Sequence, residues 1–246
     1  MIGVDVLGVR ITPISVEEIL TLIENWIKTG QRKYISVCPN YSIMNSHKDV
    51  QFRNILNGSA LAVADGVSVV WACKVQGYKK AKQVRGTDLM LQVCSMAAEK
   101  GYSNFFYGGA EGVPEKLSEN LKQRFPGLKI AGIYSPPFSP LTEQESKDVL
   151  DMINAANPDI LWVGLGAPKQ ELWMAHYINY LNVPVMIGVG AAFDFLSGNK
   201  QEAPKWVQRA ALEWLFRLIK EPKRLWKRNL YHPIFIGKLI IQKWLR

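Results

Sequence analysis

The sequence predicts an α/β protein: a mostly parallel, Rossmann-like doubly wound sheet followed by a C-terminal helical appendage. Three observations point there. Short, nearly continuous apolar runs recur up to residue 204, as expected of strands covered on both faces. Amphipathic stretches of helical period separate them. Past Ala203-Pro204 the strand signal stops and the composition turns basic and aromatic.

In chain order, strands are expected at Tyr34–Cys38, Ala60–Ala64, Asn104–Tyr107, Lys129–Tyr134, Asp159–Leu165 and Pro184–Val189. Helices are expected at Ser15–Thr29, Tyr41–Leu56, Thr87–Lys100, Pro114–Phe125, Thr142–Ala155 and Lys169–Leu181. Ser15 with Glu18 makes a capping box for the first of these. Thr142 with Glu145 makes another, directly after the Ser-Pro-Pro-Phe-Ser-Pro loop. Trp206 to Trp244 reads as helix, broken at Pro222 and Pro233. The expected division is therefore an α/β domain over 1–204 and a basic, aromatic helical appendage over 205–246.

Composition excludes several classes. The chain has 246 residues, 48% hydrophobic and 21% charged, enough apolar surface to offset ordering entropy, so it is neither disordered nor fibrous. The formal net charge of +9 is not spread evenly. Residues 1–204 carry 19 positive and 19 negative side chains, whereas 205–246 carry 11 positive against only Glu213 and Glu221. The high isoelectric point thus describes a basic tail on a neutral body. No apolar run reaches the roughly 18–20 residues that span a bilayer. The N-terminus lacks a basic segment followed by an apolar one, so no signal peptide is expected. Cys38, Cys73 and Cys94 are too few for a disulfide framework and fit a reducing cytosol. His47, His176 and His232 have no metal-ligand spacing.

In an open α/β sheet, ligands bind at the carboxyl ends of the strands. Four such loops carry informative residues. One reads Pro39-Asn40 and a second Asp65-Gly66, where Asp65 either presents a carboxylate into a cleft or caps the next helix. The third contains Gly108-Gly109 before a helix with Pro114 in its first turn; its free N–H groups suit a diphosphate, and a tight turn with no ligand stays open. The fourth, Gly164-Leu165-Gly166-Ala167-Pro168-Lys169-Gln170-Glu171, puts a lysine in a first helical turn, where a cation is unfavourable unless it meets an anion. A parallel loop, Gly188 to Asp194, includes Gly190 but lacks the full dinucleotide fingerprint, which disfavours NAD. Asp194 in that loop either faces a ligand or caps a helix. No Asp-x-Asp pair for a divalent ion on a sugar diphosphate is present, so no metal and no cofactor are expected.

Taken together, Val37-Cys38-Pro39-Asn40, Ala64-Asp65-Gly66-Val67-Ser68, Val84-Arg85-Gly86-Thr87-Asp88, Gly-Ala-Pro-Lys-Gln-Glu at 166–171 and Glu213-Trp214-Leu215-Phe216-Arg217 through Glu221-Pro222-Lys223-Arg224 resemble the WecG/TagA/CpsF family of bacterial glycosyltransferases. The resemblance covers nearly the whole chain, in order. It implies an inverting, metal-independent transfer of a sugar, typically N-acetylmannosamine, from a UDP donor to an undecaprenyl-diphosphate-linked sugar. Another UDP-hexose, glucose or N-acetylmannosaminuronic acid, is the alternative donor. The implied location is cytoplasmic, peripheral at the inner face of the cell membrane. The family's base matches Asp65, its donor-site Gln matches Gln170, its strand-end Asn matches Asn40 as an acceptor-side residue, and its tail arginines match Arg217 and Arg224. A third tail arginine falls at Lys227, with Arg228 beside it. Two departures stand out: Cys38 where the family often has Thr, and Gln83 where it often has Arg, which leaves Arg85 or Lys169 to meet donor phosphate.

Inverting transfer needs a base on the acceptor hydroxyl and a counter-charge for the departing UDP. Asp65 suits the first. Gly108, Gly109, Gly164, Gly166, Gly190, Lys169, Gln170, Arg85 and Asp194 are the expected donor-side residues. The tail is expected to bring the enzyme to an anionic membrane surface and to complete the active site, its first helix docking while the part beyond Pro222 meets lipid. Nucleic acid is not an expected partner; a homo-oligomer is left open. Outside this class, a nucleotide-dependent oxidoreductase and a basic nucleic-acid-binding module are the rivals.

Overall fold

The computed structural model describes residues 3–210 and 212–244, the side chains of Arg209, Arg224, Lys227, Arg228, Asn229 and Lys243 excepted. The chain begins with an antiparallel hairpin, β1 (Val4–Val6) and β2 (Val9–Ile11). β3 (Lys33–Cys38), β4 (Leu61–Ala64), β5 (Ser103–Gly108), β6 (Lys129–Tyr134), β7 (Ile160–Gly164) and β8 (Val185–Gly188) then form one six-stranded sheet in the order β4-β3-β8-β7-β5-β6. Every pairing in it is parallel, so all the carboxyl ends lie along one edge. This is the predicted α/β class.

Helices supply the crossovers. α1 (Val16–Thr29) precedes β3, and α2 (Asn40–Lys48) and α3 (Val50–Gly58) follow it. α4 (Val67–Val75) and α5 (Gly86–Lys100) connect β4 to β5. α6 (Val113–Arg124), α7 (Glu143–Ala156), α8 (Lys169–Tyr177) and α9 (Ala192–Leu196) follow β5, β6, β7 and β8 in turn. α10 (Lys205–Arg209), α11 (Glu213–Lys220), α12 (Pro222–Asn229) and α13 (Tyr231–Trp244) complete the chain as the C-terminal helices. Both expected capping boxes form: Ser15 Oγ accepts from Glu18 N at 3.3 Å, and Thr142 Oγ1 from Glu145 N at 3.2 Å.

Alternation along the strands sends side chains to two faces. Ile35, Val37, Phe106, Trp162 and Ile187 pack under α1, α5 and α6. Tyr34, Phe105, Tyr107, Leu161, Val163 and Met186 pack under α7 and α8. Trp162 Nε1 donates to Asn104 Oδ1 at 2.9 Å, so this buried indole keeps a partner.

Four elements differ from expectation. The stretch expected as one helix over Tyr41–Leu56 is two, because Asp49 leaves the helical region and accepts from Phe52 N at 3.0 Å, capping α3. The hairpin was not expected; Leu7 and Gly8 take φ of 51° and 90°, as a tight two-residue turn requires. α4 forms from a run that is apolar except for Ser68 and Lys74 and has no clear helical period. Pro233 does not break the chain, because it falls in the first turn of α13, where the missing N–H would have no intrahelical partner. Pro222 does mark a break, between α11 and α12.

A third core cluster joins the two ends of the chain. Phe235 and Leu239 of α13 are buried with Val4, Val6 and Ile11 of the hairpin, Ile43 of α2 and Val69 and Cys73 of α4. Gln242 adds polar ties, accepting from Leu7 N at 3.2 Å and donating to Asp5 O at 3.1 Å. The helix beyond Pro222 therefore docks on the body, where the sequence reading placed only the first tail helix. No helix among the described residues is long and apolar enough to cross a membrane.

Candidate active site

At the carboxyl ends of β3 and β4 lies a cavity of about 430 Å³. Its floor comes from Asn40, Asp65, Ser68 and Gln83, and its wall from Trp214, Arg217 and His232 of the C-terminal helices. Parallel pairing of Cys38 with Ala64 places the two loops side by side. The Asp65 N–H donates to Cys38 O at 3.0 Å, which ties the acidic loop to the end of β3. The residue at the cap of α4 is Gly66, with φ of 92°, so Asp65 precedes the cap and leans half-buried into the cavity. A side chain at Gly66 would be strained at that φ.

Cys38, beneath Asp65, is fully buried. Burial pushes its thiol well above the ordinary range, and the carboxylates of Glu171 and Asp65 add to the effect. It is a neutral packing group that supplies no hydroxyl to the cavity. Glu171 is itself wholly buried beside Gln170.

Arg85 reaches the cavity already surrounded by acids. Its guanidinium meets Glu202, lies 3.2 Å from Glu213 and 3.4 Å from Asp88, and donates to Gln208 Oε1 at 2.7 Å. Burial opposes its charge, but Glu213, Glu202 and Asp88 outweigh burial and hold its pKa above the ordinary value. The fork is neutralised within the protein, and it staples the α5 N-terminus to α10 and α11.

Arg217 is in the opposite condition. It lines the cavity with its guanidinium 5.3 Å over the Phe195 ring. Among the described residues no carboxylate lies within ion-pair distance of it. Asn40, 6% exposed, places its Nδ2 2.9 Å from His232 Nδ1, and the His232 ring packs 5.5 Å from Trp214. Arg224, Lys227 and Arg228 lie outside the residues whose side chains are described.

The glycine loops form a second stretch of the same sheet edge and do not line this cavity. Gly108 and Gly164 face each other across β5 and β7, and a Cβ on Gly108 would stand 2.6 Å from the Gly164 backbone. Gly109 N donates to Gly164 O at 3.1 Å. A Cβ on Gly164 would strike the Phe193 ring at 2.7 Å. These glycines thus allow close packing between strands and helices. Gln170 is buried; its Oε1 accepts from Gly166 N at 3.1 Å and its Nε2 donates to Glu171 at 2.8 Å. It also lies against Gly190. Lys169 is exposed in the first turn of α8. Asp194 pairs with Lys200 at 2.8 Å and accepts from Asn199 at 3.2 Å, and Lys200 reaches Glu221 at 3.7 Å. The two stretches adjoin where Gly86, next to Arg85, packs on Val189: a Cβ there would lie 3.2 Å from Val189 O.

Of the residues singled out in the sequence, the cavity brings together Asn40, Asp65, Arg85 and Arg217. Sequence reasoning missed His232, Trp214, Gln208 and Glu213 as parts of this wall, and Glu202 as a partner of Arg85. Asn40 and His232 are 192 residues apart, a separation that no local pattern encodes.

The model of the WecG/TagA/CpsF glycosyl transferase family matches residues 4–246. An N-acetylglucosaminyldiphosphoundecaprenol N-acetyl-beta-D-mannosaminyltransferase of Bacillus spizizenii is 34% identical over 190 residues, 77% of this chain and 72% of that protein. The protein of the same name from Bacillus subtilis is 34% identical over 186 residues, 76% of this chain and 70% of its own. A Staphylococcus aureus protein of that name is 29% identical over 242 residues, 96% of this chain and 91% of its own. With the whole described sheet, the cavity at its carboxyl edge and the C-terminal helices inside that match, the chain belongs to the WecG/TagA/CpsF family and is a glycosyltransferase.

Proposed function

We propose that the protein transfers N-acetylmannosamine from its UDP donor to N-acetylglucosamine linked to undecaprenyl diphosphate, with inversion and without a metal. The observation that carries this reading is a single cavity lined by an acid, Asp65, and a cation without an acid partner among the described residues, Arg217. In this mechanism the Asp65 carboxylate accepts the proton of the acceptor hydroxyl. The hydroxyl oxygen attacks the anomeric carbon from the face opposite the diphosphate, and the bond to UDP breaks as the new glycosidic bond forms. Arg217 meets the charge that grows on the leaving diphosphate, a role that a divalent ion fills where an Asp-x-Asp pair exists. Lys169 and the N–H groups of the glycine loops remain candidates for the rest of the donor. Arg85, neutralised by three carboxylates, holds the wall in place.

The C-terminal helices also support a membrane-surface role. They carry the whole net charge of the chain and leave Trp206, Ile219, Trp226, Ile240, Ile241 and Trp244 exposed. The experiment is incubation with a panel of UDP-sugars and a lipid-diphosphate N-acetylglucosamine, reading UDP release and product mass. UDP release with UDP-N-acetylmannosamine and a product heavier by one N-acetylhexosamine supports the reading. Release with a different UDP-hexose alone overturns the donor assignment.

A further inference from the structure

We propose that His232 is a positioning residue for the transfer: it fixes the carboxamide of Asn40 so that Asn40 Oδ1 is presented to the cavity as an acceptor for a substrate hydroxyl. The inference rests on the transfer reading above and adds to it a residue from the C-terminal helices.

A primary amide offers two donors at one end and one acceptor at the other, and either end can face a ligand. At Asn40 the choice is made by a partner. Nδ2 lies 2.9 Å from His232 Nδ1, so with the amide donating, Nδ1 is the acceptor and the neutral ring carries its proton on Nε2. Nδ2 is thereby held against α13, and Oδ1 is held at the opposite end of the same plane. Among the described residues nothing donates to Oδ1, and Asn40 lines the cavity. An oriented acceptor on a buried residue, open to the cavity and without a donor among the described residues, is what a sugar hydroxyl can satisfy.

The pairing is built from both sides. Trp214 of α11 packs on the imidazole at 5.5 Å with the planes inclined at 42°. The residue before His232 is fixed against the residue after Asn40: the Tyr231 and Tyr41 rings meet edge-on at 5.7 Å. Lys48 Nζ donates to the Tyr231 hydroxyl at 3.1 Å. Two consecutive residues of α13 thus engage two consecutive residues of α2, which sets the register of the helix on the site. Asn40 is oriented only when α13 is seated, and the chain completes its acceptor side with a residue far along the sequence.

The test separates an acceptor of hydrogen bonds from a packing ring. His232→Phe keeps a ring beside Trp214 and removes Nδ1. His232→Asn loses the ring and returns an acceptor oxygen near the position of Nδ1. Steady-state kinetics is measured with the lipid-diphosphate sugar and the UDP-sugar that wild type uses. In parallel, the Asn40 side-chain amide is followed by 15N NMR, assigned by its disappearance in Asn40→Ala. The expected result is a roughly tenfold fall in kcat/KM for the acceptor in His232→Phe, with the KM for donor unchanged, and recovery to within about threefold of wild type in His232→Asn. One Asn40 amide proton exchanges slowly in wild type and His232→Asn and quickly in His232→Phe. Full activity in His232→Phe, or His232→Asn as poor as His232→Phe, overturns the positioning role. Absence of wild-type transfer with every UDP-sugar overturns the transfer reading and the catalytic consequence with it, whereas the amide spectrum decides separately whether His232 orients Asn40.

Discussion

The Arg217 guanidinium lies 5.3 Å over the ring of Phe195, a contact between α11 and α9. Stacking on an aromatic face orients the planar fork and leaves its N–H groups directed outward. Arg85, in the same cavity, has its fork filled by Glu202, Glu213, Asp88 and Gln208. Among the described residues the cavity therefore holds one neutralised arginine, Arg85, and one without a carboxylate partner, Arg217. Arg217→Ala is expected to lower kcat/KM for the UDP-sugar roughly 10- to 100-fold, the range of a charge-assisted contact to phosphate. Arg217→Lys, which keeps the charge without the fork, falls between. Kinetics at varied donor concentration checks this, and an Arg217→Ala enzyme within twofold of wild type would sink the assignment.

Asp65→Asn removes the proposed proton acceptor while keeping the shape of the side chain. Gly66, not Asp65, stands at the cap of α4, so the fold has no cap to lose. Turnover is expected to drop ~10²-fold or more, with the thermal midpoint and UDP affinity close to wild type. Calorimetric titration with UDP beside the activity assay reads both. Near-normal turnover would remove Asp65 as the base.

How much of this was legible in the sequence depends on range. β3, β4, β5, β7 and β8 were readable because strands buried on both faces are apolar runs, and the capping boxes at Ser15 and Thr142 because their partners are three residues away. The hairpin was legible too, in the alternation Val4-Asp5-Val6 and Val9-Arg10-Ile11 about Leu7-Gly8, a signal overlooked because each strand has only three residues. Asp65 and Asn40 follow from their places at strand ends. The wall does not. Arg85 reads as a phosphate ligand until Glu202 and Glu213 are seen beside it, and His232 has no neighbour in sequence that hints at Asn40. Such pairings are set by where the C-terminal helices land. That is decided by the burial of Phe235 and Leu239 against a hairpin at the other end of the chain.

Phe235 is fully buried in that contact, so its loss leaves a hole that the surroundings fill only in part. Phe235→Ala is expected to cost about 3–5 kcal/mol of stability. If α13 detaches before the sheet unfolds, the loss appears as an early transition reported by tryptophan fluorescence, with the main transition unchanged. A single transition at the wild-type midpoint would show that Phe235 does not hold the helix.

Metal independence is expected from the missing Asp-x-Asp pair and from the proposed role of Arg217 as the counter-charge. Among the described residues, no group of three or more His, Cys, Asp or Glu side chains is arranged to hold an ion. Turnover in EDTA is expected to match that in magnesium or manganese. Loss of activity in EDTA, restored by either ion, would overturn this.

Residues 205–246 carry 11 basic side chains against two acidic ones, and the body before them is neutral. The docked face of these helices uses Leu225, Phe235 and Leu239, which are buried. What remains outward is amphipathic: Trp206 is 69% exposed, Ile219 70%, Ile241 59% and Trp244 85%. Exposed aromatics and aliphatics among lysines and arginines match the interface of an anionic bilayer, with aromatic rings at headgroup depth. Each basic side chain near such a surface contributes roughly 1 kcal/mol, attenuated by salt. A few of them with the exposed tryptophans are expected to give reversible attachment. Docking of α13 and contact with lipid do not compete, because opposite faces serve the two. In vesicle flotation, full-length protein is expected to rise with anionic vesicles at low salt, to rise less as salt increases, and to stay behind with neutral ones. Trp244→Ala with Ile241→Ser should weaken flotation while leaving the thermal midpoint near wild type, since neither side chain is buried. Indifference to anionic vesicles at moderate salt would remove the membrane role and leave the C-terminal helices as a wall of the active site.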